Sequence, residues 1–177
     1  MSVSGCQATK GAHTTSGQYL GAESKKSITI EETKLSLPTY LKTRLNKIVA
    51  IDVGVNRYSE KLYGNDYYFR MEQLYRGYFD TRGQGNLLTF AKKIKDDDGS
   101  TIPVDTIQFT KKNSIKYGTF TSNSNKPCLL VRLAIGKATD AKKSDAIING
   151  VICGNPGDNL DKTIAEILPE IAKIKMF

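Results

Sequence analysis

The chain has 177 residues, with 26 Lys or Arg against 18 Asp or Glu and a formal net charge of +8. That is one domain's worth of sequence, long enough to need no metal or disulfide staple. The composition excludes collagen, coiled coil and wholesale disorder.

Residues 1–25 are rich in Ser, Thr, Gly and Gln and read as an extended N-terminal arm. Residues 26–177 read as a single α+β domain: an antiparallel sheet with several helices. The stretch 26–37 alternates as a strand through Ile28, Ile30, Leu35 and Leu37. Ser36 and Pro38 then signal a helix start, with Tyr40, Leu41, Leu45 and Ile48 at helical spacing. The apolar run 48–55 predicts a buried strand. In 66–80, Tyr67, Met71, Leu74 and Tyr78 fall at i, i+4, i+7 and i+11, which predicts a helix capped by Asp66. Leu87 to Lys95 reads as a short strand or helix, and 95–100 as a turn. The stretches 102–110, 114–121 and 127–136 predict an antiparallel meander. Residues 147–154 fit strand or helix. After the breaker Asn155-Pro156-Gly157, Asp158 or Asn159 caps a final helix through Leu168, which Pro169 should end or kink. Glu170 to Phe177 reads as a further turn or a last strand.

The cysteines Cys6, Cys128 and Cys153 are odd in number and form no C-x-x-C pair, so no disulfide framework is expected. Cys128 and Cys153 sit in apolar runs and read as inert packing. The single histidine, His13, leaves a zinc site almost without ligands. Phosphate-loop, dinucleotide and nucleophile-elbow motifs are absent from the sequence, so no cofactor is expected. The first residues lack the apolar core of a secretory signal, and no apolar run approaches a membrane span. These features set the expectation of an intracellular protein, cytoplasmic or within a large particle.

The strongest functional feature is the segment 57–82, which holds eight of the chain's fifteen aromatic residues. Its candidate binding residues are Arg57, Tyr58, Lys61, Tyr63, Tyr67, Tyr68, Arg70, Tyr75, Arg76, Tyr78 and Arg82. Tyr and Arg anchor protein interfaces. The same pair binds single strands, with bases stacking on rings and cations neutralising phosphates. A Tyr-rich core face is the plain alternative. The charge excess favours a polyanion or an acidic partner, yet it is spread as +3, +3 and +2 over residues 1–60, 61–120 and 121–177. An even spread lacks the concentrated stripe that phosphate binding uses.

The run IVAIDVGVN at 48–56 resembles the first strand motif of RuvC-like and transposase nucleases, in which a strand-borne Asp binds Mg²⁺. The resemblance implies that role for Asp52, and Ser144-Asp145-Ala146 loosely resembles the Asp-Ala pair of that family's last catalytic helix. The family also needs a strand-borne Glu between these motifs, and the sequence has no Glu between Glu72 and Glu166.

The leading expectation is a non-enzymatic assembly subunit, a coat or linker component binding other protein subunits through its arm and its Tyr/Arg segment. The first alternative is a single-stranded nucleic-acid-binding protein. The second is a Mg²⁺-dependent nuclease centred on Asp52.

Overall fold

The computed structural model describes residues 12–13, 19–21, 23–53, 57–74, 79–80, 85–95, 99–102, 104, 107–112, 114–135 and 143–177. In chain order the strands begin with two short pieces, β1 (Ala12–His13) and β2 (Tyr19–Gly21), which pair with each other. Then come β3 (Glu23–Ile28), β4 (Leu35–Ser36), helix α1 (Thr39–Lys42), β5 (Leu45–Val53), β6 (Arg57–Gly64), β7 (Tyr67–Leu74) and β8 (Phe79–Asp80). Helix α2 (Gly85–Ala91) precedes β9 (Phe109–Lys112), β10 (Ile115–Thr121), β11 (Pro127–Ile135), β12 (Lys143–Ser144) and β13 (Ala146–Cys153). Helix α3 (Leu160–Ala172) and β14 (Lys175–Met176) close the chain.

The centre is one eight-stranded sheet in the order β3-β5-β6-β7-β13-β11-β10-β9, antiparallel at every pairing. Strand therefore dominates the α+β architecture, with three helices among the described residues.

The sheet buries its two faces unequally. On one face, Ile48, Leu62, Phe69, Met71, Ile148 and Leu129 form the main core beneath Ile167, Leu168 and Ile171 of α3. On the other, Leu87 and Ala91 of α2 join Ile102, Val104 and Ile107 over Phe120, Cys128 and Leu130. This second layer packs on the β13-β11-β10-β9 end and reaches Tyr68 of β7 through Phe90. Strands β11 and β13 are thus buried on both sides, which explains their near-continuous apolar runs. The buried Glu60 pins the 30–34 turn to the main-core face: its Oε1 accepts from Lys34 N and the Tyr58 hydroxyl at 2.8 Å each, and Oε2 accepts from Thr33 Oγ1.

Several expectations are corrected. The helix expected over 66–80 is strand β7, with Tyr67, Phe69 and Met71 buried and Tyr68, Arg70 and Glu72 half-buried. An i, i+4 step keeps one face in a helix and also in a strand, because four is even; the aromatic run Tyr67-Tyr68-Phe69 then favours the pleated form. The helix expected from Pro38 lasts only four residues, and Leu45 and Ile48 belong to β5. Helix α3 starts at the expected Asn159 cap, whose side chain accepts from Asp161 N, but it runs past Pro169 to Ala172. Cys128 and Cys153 are not separate packing residues: they stand opposite each other on β11 and β13 and form a disulfide. Directly opposed strand positions bring Cβ atoms to about 5 Å, whatever their spacing in sequence. Residues 23–25, at the end of the expected arm, pair with β5 as part of β3.

Candidate functional site

The Tyr/Arg segment is the hairpin of β6 and β7, and strand alternation sorts its side chains. Tyr58 and Tyr67 belong to the main-core face. The Tyr67 hydroxyl donates to Leu41 O at 2.9 Å, and the Tyr58 ring lies beneath Lys34 Nζ at 4.0 Å. These two follow the plain core reading. Arg57, Lys61, Tyr63, Tyr68 and Arg70 alternate onto the opposite face. Tyr75, Arg76, Tyr78 and Arg82 lie outside the described residues.

Register arranges that opposite face into cross-strand rows. In one row Lys47, Tyr63 and Tyr68 stand side by side on β5, β6 and β7. The Tyr63 and Tyr68 ring centroids are 5.2 Å apart. Phe90 of α2 stacks on Tyr68 at 6.0 Å with the rings 6° from parallel. Tyr63 is 38% exposed at the open end of this aromatic line. Burial pushes the Tyr68 hydroxyl above its ordinary value, so it stays a neutral phenol near pH 7.

The next row is cationic. Lys61 stands opposite Arg70, Arg70 opposite Asn149, Asn149 opposite Arg132, and Arg132 opposite Lys116, whose other neighbour is Lys111. Like charges placed directly opposite reduce sheet stability. Glu72, whose Oε1 accepts from Arg70 Nη2 at 2.9 Å, offsets part of that cost within the chain. The even distribution of charge along the sequence conceals this row, because it draws from strands far apart in the chain.

Beside the rows, a cleft of about 330 Å³ opens between α2 and the sheet. Thr89, Phe90 and Lys93 form its wall, and Arg57, Arg70, Glu72 and Asn149 its floor. Glu72 Oε1 accepts from Arg57 Nη1 at 3.1 Å and from Arg70 Nη2 at 2.9 Å, holding both guanidinium groups in place. Asn149 is 3% exposed, and its Oδ1 has no hydrogen-bond partner among the described residues; nor has the buried Nε of Arg70. Arginine has five N–H donors, so each guanidinium keeps donors beyond its bond to Glu72. Arg57, Arg70 and Lys93 outnumber the one carboxylate, Glu72, so the cleft has a positive surplus.

Sequence reasoning missed Asn149, Phe90, Lys93 and Glu72. Asn149 did leave a signal: it is the one side-chain amide in the apolar run IINGVICG of a central strand.

The metal reading fares differently. Asp52 shares a row with Tyr58, Gln73 and Ala146, so Asp52 and the start of β13 are three strand spacings apart, about 14 Å. Two-metal chemistry needs carboxylates converging within a few ångström. Among the described residues no group of three or more His, Cys, Asp or Glu side chains is placed to hold a metal ion. No described helix is long and apolar enough to cross a membrane. No protein-family model, curated protein or solved structure matches the chain.

Proposed function

We propose that the chain binds single-stranded nucleic acid on the part of this sheet face that carries the rows Lys47-Tyr63-Tyr68 and Lys61-Arg70. The observation that carries the reading is the adjacency of two rows, aromatic Tyr63-Tyr68 beside cationic Lys61-Arg70. Single-strand binders combine these two elements: rings that accept any base, and cations that track the phosphates. The two rows lie about 7 Å apart along the strands, so neighbouring parts of one nucleotide reach both. Lys47, Arg57 and Lys93 extend the positive surface. Exposed rings in such a row suit a flexible strand better than a duplex, whose bases are already stacked.

The role of an assembly subunit draws less support from the described residues. Both edges of the sheet carry exposed lysines, Lys25 and Lys26 on β3 and Lys111 and Lys112 on β9. Edge lysines oppose strand-to-strand association. A subunit that lines a nucleic-acid-filled particle would use the same face.

The test is fluorescence anisotropy with a labelled single-stranded 12-mer at several salt concentrations. Binding should weaken as salt rises, with a log–log slope of about −2 to −3.5 for three to five phosphates neutralised. Lys61→Ala with Arg70→Ala should lower the slope's magnitude. Absence of binding at low salt, or binding unchanged in the double variant, would refute the reading.

A further inference from the structure

We infer that the cleft between α2 and the sheet is a subsite for the terminal phosphate monoester of a bound strand, held by Arg57, Arg70 and Lys93. This rests on the single-strand reading and deepens it, because it names the part of the strand that reaches the cleft. Both rows stop there. In the cationic row, Lys61 and Arg70 are followed by Asn149 and Arg132, each only 3% exposed. The cations reached from β6 therefore end at Arg70, on the floor of the cleft. In the aromatic row, Tyr68 is followed by Val151 and Leu130, which are packed into the second core layer. Phe90 of α2 closes that line: it stacks on Tyr68 and forms part of the cleft wall. A strand laid along the rows from β5 to β7 meets α2 at this point, so the nucleotide beside the cleft is its last.

The charge and the donors of the cleft suit such an end. Arg57, Arg70 and Lys93 against Glu72 leave a formal surplus of two positive charges. A phosphate monoester carries about −1.5 to −2 near pH 7 and three acceptor oxygens. A diester inside the strand carries a single charge, so the monoester is the better match. Arg57 Nη1 and Arg70 Nη2 both donate to Glu72 Oε1, which brings two guanidinium groups together on one oxygen. Arg57 keeps 40% and Arg70 30% of its side-chain surface exposed, and both line the cleft. A guanidinium has five N–H donors, and Glu72 takes one from each, so further donors serve the phosphate oxygens. The buried Nε of Arg70 is not among them. Lys93 stands exposed on the opposite wall as a third cation.

The test uses the full chain and an internally labelled single-stranded 12-mer in three forms: both ends hydroxyl, 5′-phosphorylated and 3′-phosphorylated. Anisotropy at one salt concentration should show one phosphorylated form binding at least five-fold tighter than the hydroxyl form. Arg57→Gln and Lys93→Gln should each bring that ratio down to less than two-fold. Lys47→Ala, at the other end of the aromatic row, should weaken the forms alike and keep the ratio. A ratio near one in the parent protein would overturn the subsite and, with the 12-mer still bound, leave the strand reading intact. An unaltered ratio in both Arg57→Gln and Lys93→Gln would also overturn it. Inorganic phosphate, titrated alone by calorimetry, should bind far more weakly than the phosphorylated strand. Equal affinity would make the cleft a site for free phosphate and overturn the assignment to a strand end. Failure of all three 12-mers to bind would refute the strand reading and this inference with it.

Discussion

Arg70 and Asn149 stand directly opposite each other on β7 and β13, and each carries a buried polar atom without a hydrogen-bond partner. A buried group left unsatisfied costs roughly 1–3 kcal/mol. Two such groups on neighbouring strands are a loss of stability built into this part of the sheet.

That cost yields a stability prediction. Asn149→Leu removes the unsatisfied carbonyl and fills the same volume with apolar atoms. The variant should be as stable as the parent or more stable, by up to about 1 kcal/mol. Urea unfolding followed by circular dichroism measures it. A loss of more than about 1 kcal/mol would mean that Asn149 supports the fold.

How far the sequence discloses this arrangement depends on the residue. Tyr67 and Tyr58 carry the same side chain as Tyr63, yet only register and alternation place the first two against the core and the third at the surface. Tyr67, Met71 and the flanking rings satisfy helical and strand spacing alike, so periodicity alone selected the wrong element for β7. The Asn159 cap of α3 is legible because capping depends on residues close in sequence. The Lys61-Arg70-Asn149-Arg132 row and the Cys128–Cys153 bond are not, because antiparallel pairing joins residues up to 79 apart.

Gly150 is fixed by its neighbour Phe69, which lies opposite it on β7. A Cβ at position 150 would come within 1.8 Å of Phe69 Cδ1. Gly150→Ala should therefore destabilise the fold by about 1–3 kcal/mol, the usual cost of overpacking. Phe69→Leu in the same chain should recover part of that loss. A double-mutant cycle in urea checks the coupling, and simple additivity would contradict this packing.

The Cys128–Cys153 disulfide joins strands 25 residues apart in sequence. Closing a loop of that length restricts the unfolded chain by about 3.5 kcal/mol on the chain-entropy model. Reduction, or the pair C128A and C153A, should lower the urea midpoint accordingly while leaving the sheet folded, since both positions sit in a closed apolar cluster. An unchanged midpoint under reductant would show that the bond adds nothing.

Alkaline pH should act through Tyr67. Burial raises the pKa of its hydroxyl above the ordinary value near 10. The folded state then holds the proton where the unfolded chain releases it, so stability is full below pH 10 and falls as pH rises above that value. Tyr67→Phe lessens this dependence, the raised Tyr68 and Tyr40 hydroxyls keeping the rest, and also costs about 1 kcal/mol at neutral pH through loss of the bond to Leu41 O. Urea midpoints between pH 7 and 11 give both effects. A parent protein and variant with parallel pH profiles would contradict the assignment.

The most direct test of strand binding on this sheet face is amide chemical-shift mapping during titration with a single-stranded 12-mer. Shifts should concentrate at Arg57 to Tyr63, at Tyr68 to Glu72 and at Thr89 to Lys93, with α3 unchanged. Shifts centred on α3, or no shifts at low salt, would contradict it.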